Sequence, residues 1–303
     1  MRILGIESSS LVASAAIYED GITMAEYTVD FKMTHSQTLL PMLDEITRMV
    51  ELDLHTIDAI AVAAGPGSFT GLRIGSATAK GLGLALNLPI VPVPTVEALA
   101  YQLWGSRDLV CPVMDARRGQ AYTVIYRMTD QGLETLFPQC AIAVEELLEK
   151  VNELGESVIF LGDGVPVFRE KITSQCAVPC RFAPAHRNRQ SAAAVAVLGM
   201  EYFRQGKCVT AAEHVPEYLR MSQAERERLE REGKKLVRID RWYPSSRTCS
   251  CCGKIKHDLK LEERVYLCNC GNRMDRDENA AINICREGLR ISGIILEKSE
   301  KAS

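Results

Sequence analysis

Residues 61–97, AVAAGPGSFTGLRIGSATAKGLGLALNLPIVPVPTVE, constrain the fold more than any other stretch: an apolar strand enters a glycine-rich turn and leaves it as a helix of small side chains. Gly65, Gly67 and Gly71 permit positive φ and close backbone approach, and Pro66 stiffens the turn between them. Gly-rich turns between strand and helix are common in α/β domains, so this one is a weak phosphate signal without a Walker lysine pattern. Lys80 does not supply that pattern, because it lies about two and a half turns into the helix at 3.6 residues per turn. Ala77, Ala79, Gly81, Gly83 and Ala85 keep the helix slim enough for another helix to pack at short distance, which predicts an interface helix.

The stretches around it complete an α/β pattern. Residues 2–6, 12–18 and 22–29 read as three short strands joined by the polar turn Glu7-Ser8-Ser9-Ser10 and by Asp20-Gly21. Ser36 is placed to cap a helix over about 37–50, with Leu39, Leu40, Leu43, Ile46 and Val50 at helical spacing. Strand 57–64, the glycine turn, helix 70–86 and strand 89–93 follow. This order describes one lobe of an actin-like or ribonuclease-H-like fold. A second lobe begins near Leu109, with strands 109–114 and 121–127 around the turn at 115–120, a helix over 144–154, a strand over 157–161 and a helix over 190–205. Lobe I is therefore read as 1–108 and lobe II as 109–222. A charged helical linker occupies 223–234, a small cysteine-rich segment 235–290, and a tail 291–303.

The net charge of −3 hides an asymmetry. Residues 223–303 hold 18 Lys and Arg against 14 Asp and Glu, which leaves 18 against 25 for residues 1–222. The acidic larger part repels nucleic-acid phosphates unless a partner supplies basic surface. No run of 18 apolar residues suggests a membrane span, and Met1-Arg2-Ile3-Leu4-Gly5-Ile6-Glu7 turns acidic too soon for a signal peptide, so a cytoplasmic chain is expected. Five of the 11 cysteines are scattered through residues 1–222, as buried thiols would be, and six crowd together near the end, as a metal site requires.

ILGIESSSLVASAAI, THSQTLLPML, AGPGSFTGLRIGSATAKGLG, PVMDARRGQAYTVIY and the late EYLRMSQAER together resemble the TsaB family over residues 1 to about 222. These are actin-like bacterial proteins that assist synthesis of threonylcarbamoyladenosine at position 37 of tRNA. The resemblance implies a non-catalytic subunit that dimerises with a TsaD-like catalytic paralogue, works with a TsaE-like ATPase, and meets tRNA indirectly through that complex. A homodimer is the alternative where TsaD is missing. It also places the TsaD contact at or near the small-residue helix, at Gly71, Gly75, Ala79 and Gly83. The paralogue carries an HxxxH metal pair where this chain has His35 followed by Leu39, and one imidazole cannot make a catalytic metal site that needs about three protein ligands. His35 is therefore read as a structural residue at a helix start. Glu7, Ser8 and Ser9, with Gly162, Asp163 and Gly164, stand where actin-like proteins hold nucleotide phosphates. The full set of acidic metal ligands is missing, so a vestigial or weak ATP/ADP site is expected.

Cys249-x2-Cys252-x15-Cys268-x1-Cys270 is close to a four-cysteine zinc pattern, with Gly253 and Gly271 giving each knuckle its turn. Zinc takes four thiolates at about 2.3 Å in a closed tetrahedron, and a segment this small and polar lacks the core to fold without one. The second knuckle is shorter than a usual CxxC, which leaves Cys251 or His257 as substitutes for the fourth ligand.

WYPSSRTCSCCG and ERVYLCNCGNRMDRDENAAINI resemble, over about 235–290, the C-terminal zinc ribbon and last nuclease segment of the TnpB family of transposon-associated RNA-guided nucleases. The resemblance implies that Asp277, with Asp275 beside it, matches one of three carboxylates that hold two metal ions. Two-metal cleavage needs several carboxylates from separate strands, and the body carrying the others is absent. Glu7 ends the first strand, where a nuclease places its first acid, but the apolar run of IDAIAVAAG offers no second. Arg241, Trp242, Tyr243, Arg247 and Tyr266 are of types that stack or pair with a nucleic-acid strand. The reading is thus a two-lobed actin-like TsaB-type domain, inactive alone, followed by a zinc ribbon of transposon origin. The alternative is a nucleic-acid-binding or metal-dependent nuclease fragment of a TnpB-type transposase.

Overall fold

A computed structural model describes residues 1–31, 34–220, 228, 231, 237, 239–240, 243–256, 259 and 263–292. Most of the expected linker 223–234, the tail beyond Ser292, and Arg241, Trp242 and His257 lie outside the described residues. The chain divides into two compact units, Met1–Met221 and Ser222–Ser303.

In the first unit, β1 (Arg2–Glu7), β2 (Val12–Glu19) and β3 (Ile22–Asp30) form an antiparallel meander. After α1 (His35–Met49), β4 (Ala59–Gly65) pairs parallel to β1. α2 (Phe69–Leu86) then leads to β5 (Ile90–Pro94), parallel to β4, giving the strand order β3-β2-β1-β4-β5. The sequence explains the layering. AIAVAAG is buried at every position of β4, as a central parallel strand covered on both faces must be, whereas β3 is mostly exposed along its edge. α1 begins at His35 rather than after Ser36. Thr34 is its N-cap and makes no side-chain capping bond.

α3 (Thr95–Tyr101) bridges to a second five-stranded sheet. Its strands are β6 (Leu109–Asp115), β7 (Gln120–Thr129), β8 (Gly132–Ala143), β9 (Val158–Leu161) and β10 (Cys180–Phe182), in the order β10-β9-β6-β7-β8. α4 (Val144–Leu154) and α5 (Val165–Gln175) pack on one face of this sheet through Val144, Leu147, Val151, Phe168 and Ile172. On the first sheet α1 and α2 play the same part, through Leu39, Leu43, Ile46 and Ala79.

The remaining helices interlock the lobes. α6 (Ala192–Arg204) follows lobe II in sequence, yet Val195, Leu198 and Met200 pack among Ile3, Ala59 and Ala61 of the first sheet. α3, in turn, sends Val96, Leu99 and Ala100 against Val110, Met114 and Val124 of the second. A Cβ on Gly5 would overlap the Ala192 carbonyl, and one on Gly199 would overlap Ala61, so glycines set how closely α6 meets its sheet. The chain then returns to lobe I: Val209 exchanges backbone hydrogen bonds with Ile90, and Glu217 N–H donates to Ala64 O at 2.6 Å.

In the second unit, β11 (Val265–Leu267) and β12 (Arg273–Asp275) form a hairpin that leads into α7 (Arg276–Ile291). Asp275 caps α7 by accepting from the N–H groups of Asp277 and Glu278.

Candidate functional site

The turns that end β1 and β9 meet between the lobes. Glu7 is fully buried, with Oε1 accepting from Ser9 N–H at 2.6 Å and Oε2 without a partner among the described residues. Burial, reinforced by the charge of Asp163 and opposed by the Ser9 hydrogen bonds, raises its pKa from 4.5 to about 7. Asp163, also raised by burial, accepts from Gln190 Nε2 at 3.3 Å, and Gln190 Oε1 accepts from Ser10 Oγ at 2.9 Å. Gln190 thus ties the β1 turn to the β9 turn. The structure brings together Glu7, Ser9 and Asp163; Ser9 Oγ has no partner among the described residues, while three neighbouring donors are used within the chain. Ser8 Oγ donates to Gly71 O at 2.9 Å, Gly162 N–H to Asn188 Oδ1 at 2.9 Å, and Gly164 N–H to Val113 O at 2.9 Å. The cleft offers two buried carboxyls where a phosphate needs positive charge or free N–H groups.

Gly71, Gly75, Ala79 and Gly83 are all buried on the inward face of α2. A Cβ on Gly71 would overlap Ser8 O, one on Gly75 would overlap Ser8 Oγ, and one on Gly83 would press on Ala211 at 3.1 Å. Their smallness lets α2 lie against the β1 turn and the chain's own returning arm, so the four residues expected at the TsaD contact are packed within this chain. The face turned outward carries Thr70, Arg73, Ala77, Gly81 and Leu84, at helical spacing, with Leu84 67% exposed and open space around Gly81. Gly75→Leu is therefore expected to lower the chain's own unfolding midpoint, by roughly 1–3 kcal/mol of overpacking or more, measured by thermal melting. At the start of α1, His35 Nε2 bonds Ser10 O at 2.7 Å and Leu39 is buried in the core, so this helix holds no histidine pair.

The ribbon gathers Cys249, Cys252, Cys268 and Cys270, whose sulfurs lie within 4.8 Å of one another. Two sulfur pairs, Cys249–Cys270 and Cys252–Cys268, are 3.6 Å apart, close to the tetrahedral edge of about 3.8 Å that a 2.3 Å Zn–S bond requires. Burial alone would raise the Cys249 thiol. Donors from the Cys252 and Cys251 backbone and from Asn272 outweigh it and hold the pKa at about 6. Cys270 keeps the Asn272 N–H but is pushed up to about 12 by desolvation and its three sulfur neighbours. Four thiolates cannot coexist here without a cation, and a divalent metal removes that conflict. Each knuckle turns through a glycine in the left-handed region, Gly253 at φ +75° and Gly271 at φ +90°. Cys251 is exposed outside the cluster, so Cys270 completes the set among the described residues.

The sequence reading missed what fixes the first knuckle to α7. Buried Asn279 accepts from Ser250 N–H at 2.9 Å and donates to Thr248 O at 2.7 Å, while Asn283 donates to Ser245 O and Thr248 O. An asparagine pair at i,i+4 on a predicted helix was the available signal, since it presents amides on one face. Asp277 sits in the first turn of α7, exposed, with Arg264 and Arg276 3.8 and 3.9 Å away. Among the described residues the four cysteines form the one group of three or more side chains suited to a metal, and Asp277 is not part of it.

Two five-stranded sheets of like order, joined by crossed-over helices, make the first unit an actin-like protein, and the cysteine cluster makes the second a zinc ribbon. A family model described as TsaD, tRNA N6-adenosine threonylcarbamoyltransferase, matches residues 30–228, and one described as the Cas12f1-like TNB domain matches 220–284. The chain belongs to the TsaB family. It is 31% identical over 225 residues to the tRNA threonylcarbamoyladenosine biosynthesis protein TsaB of Bacillus subtilis, covering 74% of this chain and 96% of that one. It is 32% identical to TsaB of Escherichia coli over 54% of this chain and 72% of that one. A Pseudomonas aeruginosa structure described as similar to peptidase YeaZ superposes with a TM-score of 0.63 at 25% identity, over 72% of this chain and 99% of that one. The ribbon is 50% identical over 60 residues to a Streptomyces pristinaespiralis protein bearing the name RNA-guided DNA endonuclease, covering 20% of this chain and 15% of that one.

Proposed function

We propose that this chain is the non-catalytic partner of a TsaD-like subunit and, with a TsaE-like ATPase, supports threonylcarbamoyl transfer to adenosine 37 of tRNA. The observation that carries this reading is the match to a TsaB protein over 96% of that protein's length. The His35–Leu39 arrangement supports a subunit without the catalytic metal pair. In this reading the outward face of α2, with Leu40 exposed on the neighbouring α1, receives TsaD. Leu84→Asp is then expected to weaken co-elution with TsaD at least tenfold, about 1.4 kcal/mol, while leaving the chain's melting midpoint unchanged. Undiminished co-elution would move the contact elsewhere.

The ribbon, in this reading, holds one Zn2+ through Cys249, Cys252, Cys268 and Cys270, and is a passenger acquired from a transposon. Threonylcarbamoyladenosine formation with purified TsaD, TsaE, tRNA and the adenylate donor tests both parts, comparing the full chain with residues 1–222. Equal support by both is expected. Activity from the truncated form alone would show that the ribbon obstructs assembly, and activity from neither would end the TsaB reading.

A further inference from the structure

A cavity of about 260 Å³ opens where α3, the turn between β7 and β8, and α6 meet, away from both the inter-lobe acids and the outward face of α2. Its walls include Tyr101, Trp104 and Tyr202, together with the carboxylates of Glu97 and Glu201. The Tyr101 and Trp104 rings lie 5.1 Å apart at 41°, with Trp104 half exposed. Glu97 Oε2 accepts from the Tyr202 hydroxyl at 2.7 Å, which locks one acid to one ring. The chain already shows what this surface attracts. Lys207 Nζ stands 4.6 Å over the Tyr202 ring, and Arg204 pairs with Glu201 at 3.2 Å along the helix surface.

Aromatic faces carry partial negative charge, and carboxylates add to it, so the lining favours a cation, although Lys207 and Arg204 at its edge offset part of that charge. The volume falls below the 300–1,000 Å³ usual for a whole small-molecule ligand, which suits one side chain better than a metabolite. A second cavity of about 390 Å³, with Arg107 and Asp130 in its walls, shares Trp104 with it. A guanidinium matches the lining better than an ammonium, because it is planar, stacks on rings and forks its N–H groups toward carboxylates. We propose that this cleft receives an arginine side chain presented by a partner protein, with Trp104 and Tyr101 stacking on it and Glu97 and Glu201 accepting its N–H groups.

The sequence contains two tryptophans, so Trp242→Phe in the full chain leaves Trp104 as the sole indole reporter. Acetyl-Ala-Arg-Ala-amide, titrated into that protein, is expected to give a saturable fluorescence change in the millimolar range. The matching citrulline peptide, nearly isosteric but uncharged, is expected to give none. Glu97→Gln tests the half-buried acid, and Glu201→Gln, which gives up only the surface ion pair with Arg204 along α6, should weaken binding about fivefold. No saturable response to the arginine peptide, an equal response to citrulline, or binding unchanged in Glu201→Gln would overturn the assignment. Free guanidinium ion binding as tightly as the peptide would overturn its protein source.

Discussion

Cys252→Ser, or treatment of the native chain with a strong chelator, is expected to unfold the ribbon while the first unit stays folded. Among the described residues the ribbon has two three-residue strands and one helix, and its buried side chains are few: Cys249, Ser250, Tyr266, Asn279 and Asn283. Such a core does not offset the entropy of ordering the chain. Structural zinc binding in small fingers is worth about 10–16 kcal/mol at neutral pH, so loss of one ligand removes most of what holds the fold. Zinc content should fall from about one per chain to near zero, and protease should cut within residues 243–292 while sparing 1–220. Cys251→Ser, at the exposed thiol outside the cluster, should retain the metal. Zinc retained by Cys252→Ser would sink the ligand set.

Glu7→Gln is expected to stabilise the first unit above neutral pH and to change little near pH 4. The folded state holds the Glu7 proton more tightly than the unfolded chain, with a pKa raised from 4.5 to about 7, chiefly by burial. The contribution of that proton is therefore fully present below the unfolded value and is lost as pH rises through about 7. Above that point the native state contains a buried carboxylate with one oxygen unpartnered among the described residues, at a cost of up to about 3 kcal/mol. An amide keeps an acceptor for Ser9 N–H and carries no charge. The melting midpoint of the native chain should decline between pH 5 and pH 8.5, and that of Glu7→Gln should decline less. Parallel profiles would mean that the Glu7 proton is not linked to folding.

Much of this architecture was legible in the sequence because its central strands are apolar runs between polar turns. Residues 2–6, 109–114 and 144–154 fall within a residue or so of observed elements. The elements not foreseen lack a one-sided pattern. β8, GLETLFPQCAIA, contains a proline and two half-buried faces, so neither alternation nor an apolar run marks it. α5 buries only Val165, Phe168 and Ile172 along 11 residues. α3 follows β5 without a break, and its apolar residues are shared between two lobes.

For the candidate sites, the spacing of the cysteines carried the metal ligands, since a zinc knuckle is a local structure. The small-residue helix carried less. Spacing identifies a slim face but not which way it turns, and Ser8, the group filling the space beside Gly71 and Gly75, comes from a turn more than 60 residues earlier. The link from Ser10 to Asp163 through Gln190, which brings the β9 turn beside Glu7, is likewise long-range, assembled only when the two sheets meet.

Each five-stranded sheet runs in the same order, with three meandering strands followed by two parallel ones, and the same stations recur along both. Gly65 ends the fourth strand of the first sheet at φ +128°, and Gly162 follows the fourth strand of the second at φ +116°, where a Cβ on either would overlap a backbone carbonyl. The two sheets are thus built to one plan, yet α6 packs on the first and α3 on the second, so neither lobe keeps its core when cut from the other. The ribbon does not repeat that plan: it forms a compact unit of its own, so the two-sheet body closes its cores without it.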